Sequence, residues 1–124
     1  NFFSSFRHSY NDGHLKEAAF HLHQTTERLY TALLLVFTGY KAKIHDIEEL
    51  GSQAEAISEE FKKIFPRDTP ENAERFKLLK KAYIDARYKK NYTITKEDLE
   101  YLSGRVDVLK GMVERVCGER LNDV

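Results

Sequence analysis

Only one cysteine, Cys117, occurs in the 124 residues. No disulfide can close within the chain, so a reducing, cytoplasmic setting is expected and Cys117 reads as inert. Charge of neither sign prevails. Twenty Lys and Arg balance twenty Asp and Glu for a formal net charge of zero, which removes the overall field that would draw a domain onto DNA or anionic lipid. Any anion site must therefore be local. No apolar run approaches the roughly 20 residues that cross a bilayer, and no basic-then-apolar leader is present, so the expectation is a chain with no membrane partner and no secretion signal. Also absent are H-E-x-x-H, a cysteine pair, G-x-G-x-x-G and G-x-x-x-x-G-K-[ST]; no cofactor is expected. There is no alternating run long enough for a sheet, no internal repeat and no low-complexity segment. Histidine is confined to positions 8, 14, 21, 23 and 45, and the rest of the chain has none.

What is there is helical periodicity. Leu15, Ala18, Leu22, Thr25, Leu29, Ala32 and Val36 alternate at three and four, which predicts a long helix with one inward stripe. Asn11, Asp12 and Gly13 offer turn chemistry and an N-cap before it, and Gly39 stops it. A second stripe runs Ile47, Leu50, Ala54, Ile57, Phe61, Ile64, opened by Asp46 and Glu49 as a capping box and interrupted by Gly51, where a bend or break is expected. After Pro66, Thr69-Pro70-Glu71 starts a third helix with inner positions Phe76, Leu79, Tyr83 and Ala86, expected to last until a break at Asn91–Thr95. Thr95 and Asp98 cap the last helix, which carries Leu99, Leu102, Val106, Leu109, Val113 and Val116. Phe2, Phe3, Phe6 and Tyr10 point to a shorter helix at the start. The fold class is all-α: an up-and-down bundle of four to five helices forming a single domain over 1–124. The chain opens at Asn1 without an initiator Met, as a piece cut from a longer protein would.

Three polar constellations compete for a function. His14, Glu17 and His21 share one helical face at metal-ligand spacing but lack a fourth partner, so they read as rim residues and no metal is assigned. Lys80, Tyr83, Arg87 and Lys90 recur at three, four and three, which places three cations around one aromatic at the edge of the core. There a partly desolvated guanidinium presents its forked donors to a phosphate. The competing reading makes Lys80 and Lys90 surface charges, with Arg87 and Lys90 complementing the negative end of a helix. His23, Glu27 and Tyr30 form a polar stripe along the long helix, and Glu27 has Arg87 and Lys80 as alternative partners across the seam.

The run AAFHLHQTTERLYTALLL, 18–35, with Gln24, Glu27 and Arg28, resembles the long helix of HEPN domains. GYKAKIHDIEEL, 39–50, is similar to that family's link and its H-D-[LI] helix start, here His45, Asp46 and Ile47. ARYKKNY, 86–92, corresponds to the place where the family's signature arginine ends a helix, and together the motifs cover about residues 12 to 115. The resemblance implies an up-and-down bundle, frequently a two-fold homodimer, often fused to or encoded beside a minimal nucleotidyltransferase, with many prokaryotic members acting as ribonucleases in toxin–antitoxin systems.

Those ribonucleases follow the arginine, after four to six residues, with a histidine. The arginine matches at Arg87, but the three histidine positions hold Tyr92, Thr93 and Ile94. Tyrosine, with an ordinary pKa near ~10, is a poor proton shuttle at neutral pH, so no catalytic residue is assigned. The leading expectation is a non-catalytic nucleotide- or RNA-binding module acting with a nucleotidyltransferase in cis or in trans. In it Arg87, Lys80 and Lys90 hold phosphate, and Tyr83, Tyr88 or Tyr92 offers a stacking ring. His23, Glu27, Tyr30 and His45 make the polar seam. The alternative is a structural bundle for dimerisation and docking, for which Leu34, Leu35, Phe37 and Val108 supply unassigned apolar surface.

Overall fold

The computed structural model describes residues 2–122, with side chains from residue 4 onward. The side chains of Phe2 and Phe3, assigned above to a first helical stripe, therefore lie outside the described ones. Six helices follow in order: α1 (Phe2–Asn11), α2 (Leu15–Thr38), α3 (Ile47–Ile57), α4 (Pro70–Lys81), α5 (Asp85–Tyr88) and α6 (Lys96–Asn122), with a 3-10 turn at Glu59–Lys63. No strand occurs among the described residues, and none of their helices is long and apolar enough to cross a membrane.

The long helix is the axis of the bundle. α2 packs against α1, α3, α4, α5 and α6, so Ala18, Leu22, Leu29 and Leu33 disappear from solvent together with Leu99, Leu102, Val106 and Leu109 of α6. Each large aliphatic so buried contributes roughly 1.5–3 kcal/mol before chain entropy is charged against it. Gly39 ends α2 in the left-handed region at φ 76°, where its N–H reaches the Leu35 carbonyl, a conformation that favours glycine over residues with a Cβ. At the other end the N-cap is His14, which makes no side-chain cap bond; the Asn11–Gly13 segment instead finishes α1 and turns the chain.

The second stripe breaks about two turns later than Gly51 predicts. Gly51 stays helical, and the interruption falls at Ser58, whose extended backbone (φ −151°) ends α3 while its hydroxyl accepts from Glu60 N–H to open the 3-10 turn. Phe61 and Ile64 remain buried across the break. Arg105 of α6 secures the far end, donating through Nε to the Ile64 carbonyl and through Nη2 to that of Lys63, both at 2.7 Å.

The third predicted helix also divides, with consequences for the site. α4 starts on the Thr69 cap, which accepts from Asn72 N–H at 3.1 Å, and stops at Lys81. In a continuing helix the Leu78 carbonyl would accept from Ala82 N–H. Here Ala82 N–H bonds to Leu79 instead, and the Tyr92 hydroxyl donates to the Leu78 carbonyl at 2.7 Å. The freed carbonyl is thus occupied from a residue beyond the turn, and the chain passes through Ala82–Ile84 into the single turn of α5. Arg75 ties α4 to α6 by bonding Asp98 at 3.0 Å. Thr95 and Asp98 form the reciprocal cap of α6, with Asp98 N–H donating to Thr95 Oγ1 and Thr95 N–H to Asp98 Oδ2.

Candidate nucleic-acid interface

Dividing the third helix separates Lys80 from Arg87. Lys80, at the end of α4, donates to Glu48 and lies 3.8 Å from Asp46. The Glu48 carboxylate holds the Lys80 ammonium above its usual pKa, and the Lys80 hydrogen bond in turn holds Glu48 below the usual carboxylate range. Lys80 is thus engaged at the α3–α4 junction, which corrects its assignment to phosphate. Tyr92 is corrected as well: only 6% exposed, it is a core ring whose hydroxyl is used on Leu78 and whose burial drives its pKa upward. It offers no stacking face. Lys90 is exposed on the turn after α5 and borders neither cavity described below.

Arg87 sits on α5 with its guanidinium carbon 4.4 Å above the Phe20 ring, 5.1 Å from Tyr88 and 5.6 Å from Tyr83. Aromatic faces orient a guanidinium without consuming its five N–H donors. Among the described residues no carboxylate pairs with it. Beside it opens a cavity of about 500 Å³ lined by His14, Lys16, Glu17, Phe20 and Arg87. Glu17 is shared between His14 at 3.7 Å and His21 at 3.5 Å, and no His, Cys, Asp or Glu group among the described residues has the geometry to hold a metal ion. Phe20 was not singled out from the sequence. Its place one turn before His23 on α2 was visible, but its pairing with Arg87 depends on how α5 docks.

The polar seam assembles in part. Glu27 turns toward histidines rather than toward Arg87 or Lys80. His45 Nδ1 lies 3.1 Å from both Glu27 oxygens, and His23 Nδ1 is 3.9 Å from Oε1. A carboxylate only accepts, so Nδ1 of His45 carries the proton it donates and Nε2 is left uncommitted. The His45 ring lies flat on Tyr83, centroids 4.6 Å apart and planes 11° from parallel; Tyr83 in turn stacks on Phe20 at 6.3 Å and 18°. His23, fully buried 5.4 Å from Tyr83, has no hydrogen-bond partner on either ring nitrogen. Burial lowers its pKa, against the opposing pull of Glu27, and favours the neutral ring. Tyr30 does not join: it is buried toward α3, where its hydroxyl oxygen lies 3.4 Å from the position a Cβ at Gly51 would take.

A second cavity, of about 700 Å³, lies on the other side of His45 between α2 and the 39–46 segment. Glu27, Arg28, Lys41, Lys43 and His45 border it, above Ala32, Leu35 and Ile44. The rings of His45, Tyr83 and Phe20 form a chain of contacts leading from this cavity to the one beside Arg87. None of its lining residues other than Glu27 and His45 was assigned from sequence as part of a site; Leu35 was read as a dimer contact. Of the other residues placed in that apolar group, Leu34 is buried in the core and Phe37 is half-buried, while Leu35 and Val108 are exposed.

Among curated proteins none matches the chain. The family model for the HEPN domain matches residues 1–116, nearly the whole of this helical bundle, and the chain belongs to the HEPN domain family.

Proposed function

We propose that this bundle is a non-catalytic nucleotide- or RNA-binding module, with Arg87 as its phosphate ligand. Family membership supports a nucleotide- or RNA-related role. The single observation that carries the finer reading is Arg87 itself: an exposed guanidinium stacked over Phe20 at the mouth of a cavity shared with Lys16 and His14. Its donors take a phosphate in forked geometry, and Tyr88, 72% exposed, supplies the ring against which a base stacks. Because the net charge is zero, affinity comes from these few groups and not from a general field. The same reading includes a nucleotidyltransferase partner in cis or in trans and a homodimer, both drawn from the family resemblance.

Calorimetric titration of adenosine monophosphate into the purified domain tests the site. The expected result is saturable heat that Arg87→Ala abolishes; no heat with the wild type, or heat that survives the substitution, overturns the reading.

A ribonuclease reading stays in view because of one observation. The chain lacks the histidine four to six residues past Arg87, yet the fold puts the Glu27-oriented imidazole of His45 against Tyr83, a ring Arg87 also approaches. Incubation with single-stranded RNA is expected to leave it intact. Cleavage lost in both Arg87→Ala and His45→Ala would establish the enzyme instead.

A further inference from the structure

We infer that the cavity beyond His45 is a second nucleotide subsite, so that the ligand is a single strand of RNA lying across α2 and not a mononucleotide. This inference rests on the Arg87 reading and extends it. Three features of the cavity argue for a base and its phosphate. Its floor is apolar, built from Ala32, Leu35 and Ile44, and Leu35 is 46% exposed although it sits on the central helix of the bundle. One wall is the His45 ring, 57% exposed at its side chain, held at Nδ1 by Glu27 and backed flat by Tyr83. An aromatic fixed at edge and face loses little freedom when a base stacks on its open side. The rim carries Lys41 and Lys43, both exposed on the 39–46 segment, whose ammonium groups suit the backbone of a strand.

The relation between the two cavities favours a strand over two independent ligands. His45 and Phe20 are each in ring contact with Tyr83, so a chain of ring contacts links the Lys41–Lys43 cavity to Arg87, and Glu17, the acid lining the Arg87 cavity, is shared between His14 and His21. Glu27, the one acid lining the second cavity, is engaged by His45 and His23. Alternating cations and stacked rings are how proteins follow a single strand without reading its sequence. An acidic protein segment would be drawn by the same lysines but would not require the exposed ring.

Fluorescence anisotropy with a labelled octaadenylate RNA, compared with calorimetry on adenosine monophosphate, tests the second subsite. The octamer is expected to bind at least about tenfold more tightly than the mononucleotide, as a second engaged site on one chain requires. The double variant Lys41→Ala/Lys43→Ala is expected to lose that advantage for the octamer while its mononucleotide affinity stays within about twofold. Its log-affinity against log-salt slope should fall by about 1.4, at roughly 0.7 for each single-strand phosphate contact removed. Equal affinity for octamer and mononucleotide, or a double variant that binds the octamer like the wild type while Arg87→Ala does not, overturns the second subsite and leaves the Arg87 site standing. Failure of the wild type to bind either ligand removes both. A double variant that changes only the sedimentation of the protein assigns the cavity to a protein contact and also overturns the inference.

Discussion

His23 lies beside the candidate site and is governed by burial. Its ring is inside the bundle with neither nitrogen bonded. Burial is the largest influence on its pKa and lowers it, charge on His45 lowers it as well, and the opposing pull of Glu27 and Asp46 leaves the net shift downward. The folded protein therefore holds this proton less readily than the unfolded chain, and the stability it allows is fully present above the unfolded value near ~6.5 and is lost as pH falls below it. Thermal melting at neutral pH and at mildly acid pH should show a drop in midpoint that His23→Leu reduces; an unchanged drop would mean other groups carry it. Tyr92 and Tyr88 make the opposite pair. Tyr92→Phe strands the Leu78 carbonyl and is expected to cost about 0.5–1.5 kcal/mol in denaturant unfolding while leaving nucleotide affinity alone. Tyr88→Ala should stay within about 0.5 kcal/mol in stability and weaken binding. From sequence these two rings were interchangeable, because periodicity reports a face and cannot say which hydroxyl finds a carbonyl beyond a turn.

At the scale of elements, Gly51 makes the sharpest contrast between pattern and packing. Glycine's low helix propensity predicts a bend, but α3 passes through it unbroken, and the nearest atom to an added Cβ is the Tyr30 hydroxyl oxygen at 3.4 Å, the near edge of ordinary contact. Gly51→Ala should therefore keep most of the propensity gain of about 0.8–1.0 kcal/mol and raise the melting midpoint by a few degrees; a fall in midpoint would show that Tyr30 has no room to yield. The same limits decided what was legible. The stripes of α2 and α6, the Thr69 and Thr95 caps and the Gly39 stop were readable because each depends on a few neighbouring residues. The breaks at Ser58 and at Ala82–Ile84 were not, since the segment after the first is held by Arg105 from α6 and the carbonyl freed at the second is taken by Tyr92. Arg87 is a candidate that the sequence alone offers, but Phe20 and Lys16, which line the cavity beside it, come from an element that meets it only in three dimensions.

For the whole molecule, balanced charge and a single core leave association to exposed apolar surface. Of the four residues read as a partner surface, Leu34 is spent in the core, Phe37 is half-buried beneath Arg120 and Leu35 floors the proposed strand path, so Val108 is the one left exposed on an outer face. It is 44% exposed on α6, between Gly104 and Gly111, at neither of which an added Cβ would meet any atom within 4 Å. Glycines on both sides of an exposed valine allow another helix to approach closely there, and the family resemblance supplies the second copy as the occupant. Sedimentation at micromolar concentration is expected to show a dimer. Val108→Asp places a charge at the centre of that contact, and because the position is solvent-facing the substitution should leave folding stability within about 0.5 kcal/mol while shifting the protein to monomer. A wild type that sediments as a monomer would remove the dimer, and a Val108→Asp variant that remains dimeric with unchanged affinity would move the interface off this face of α6.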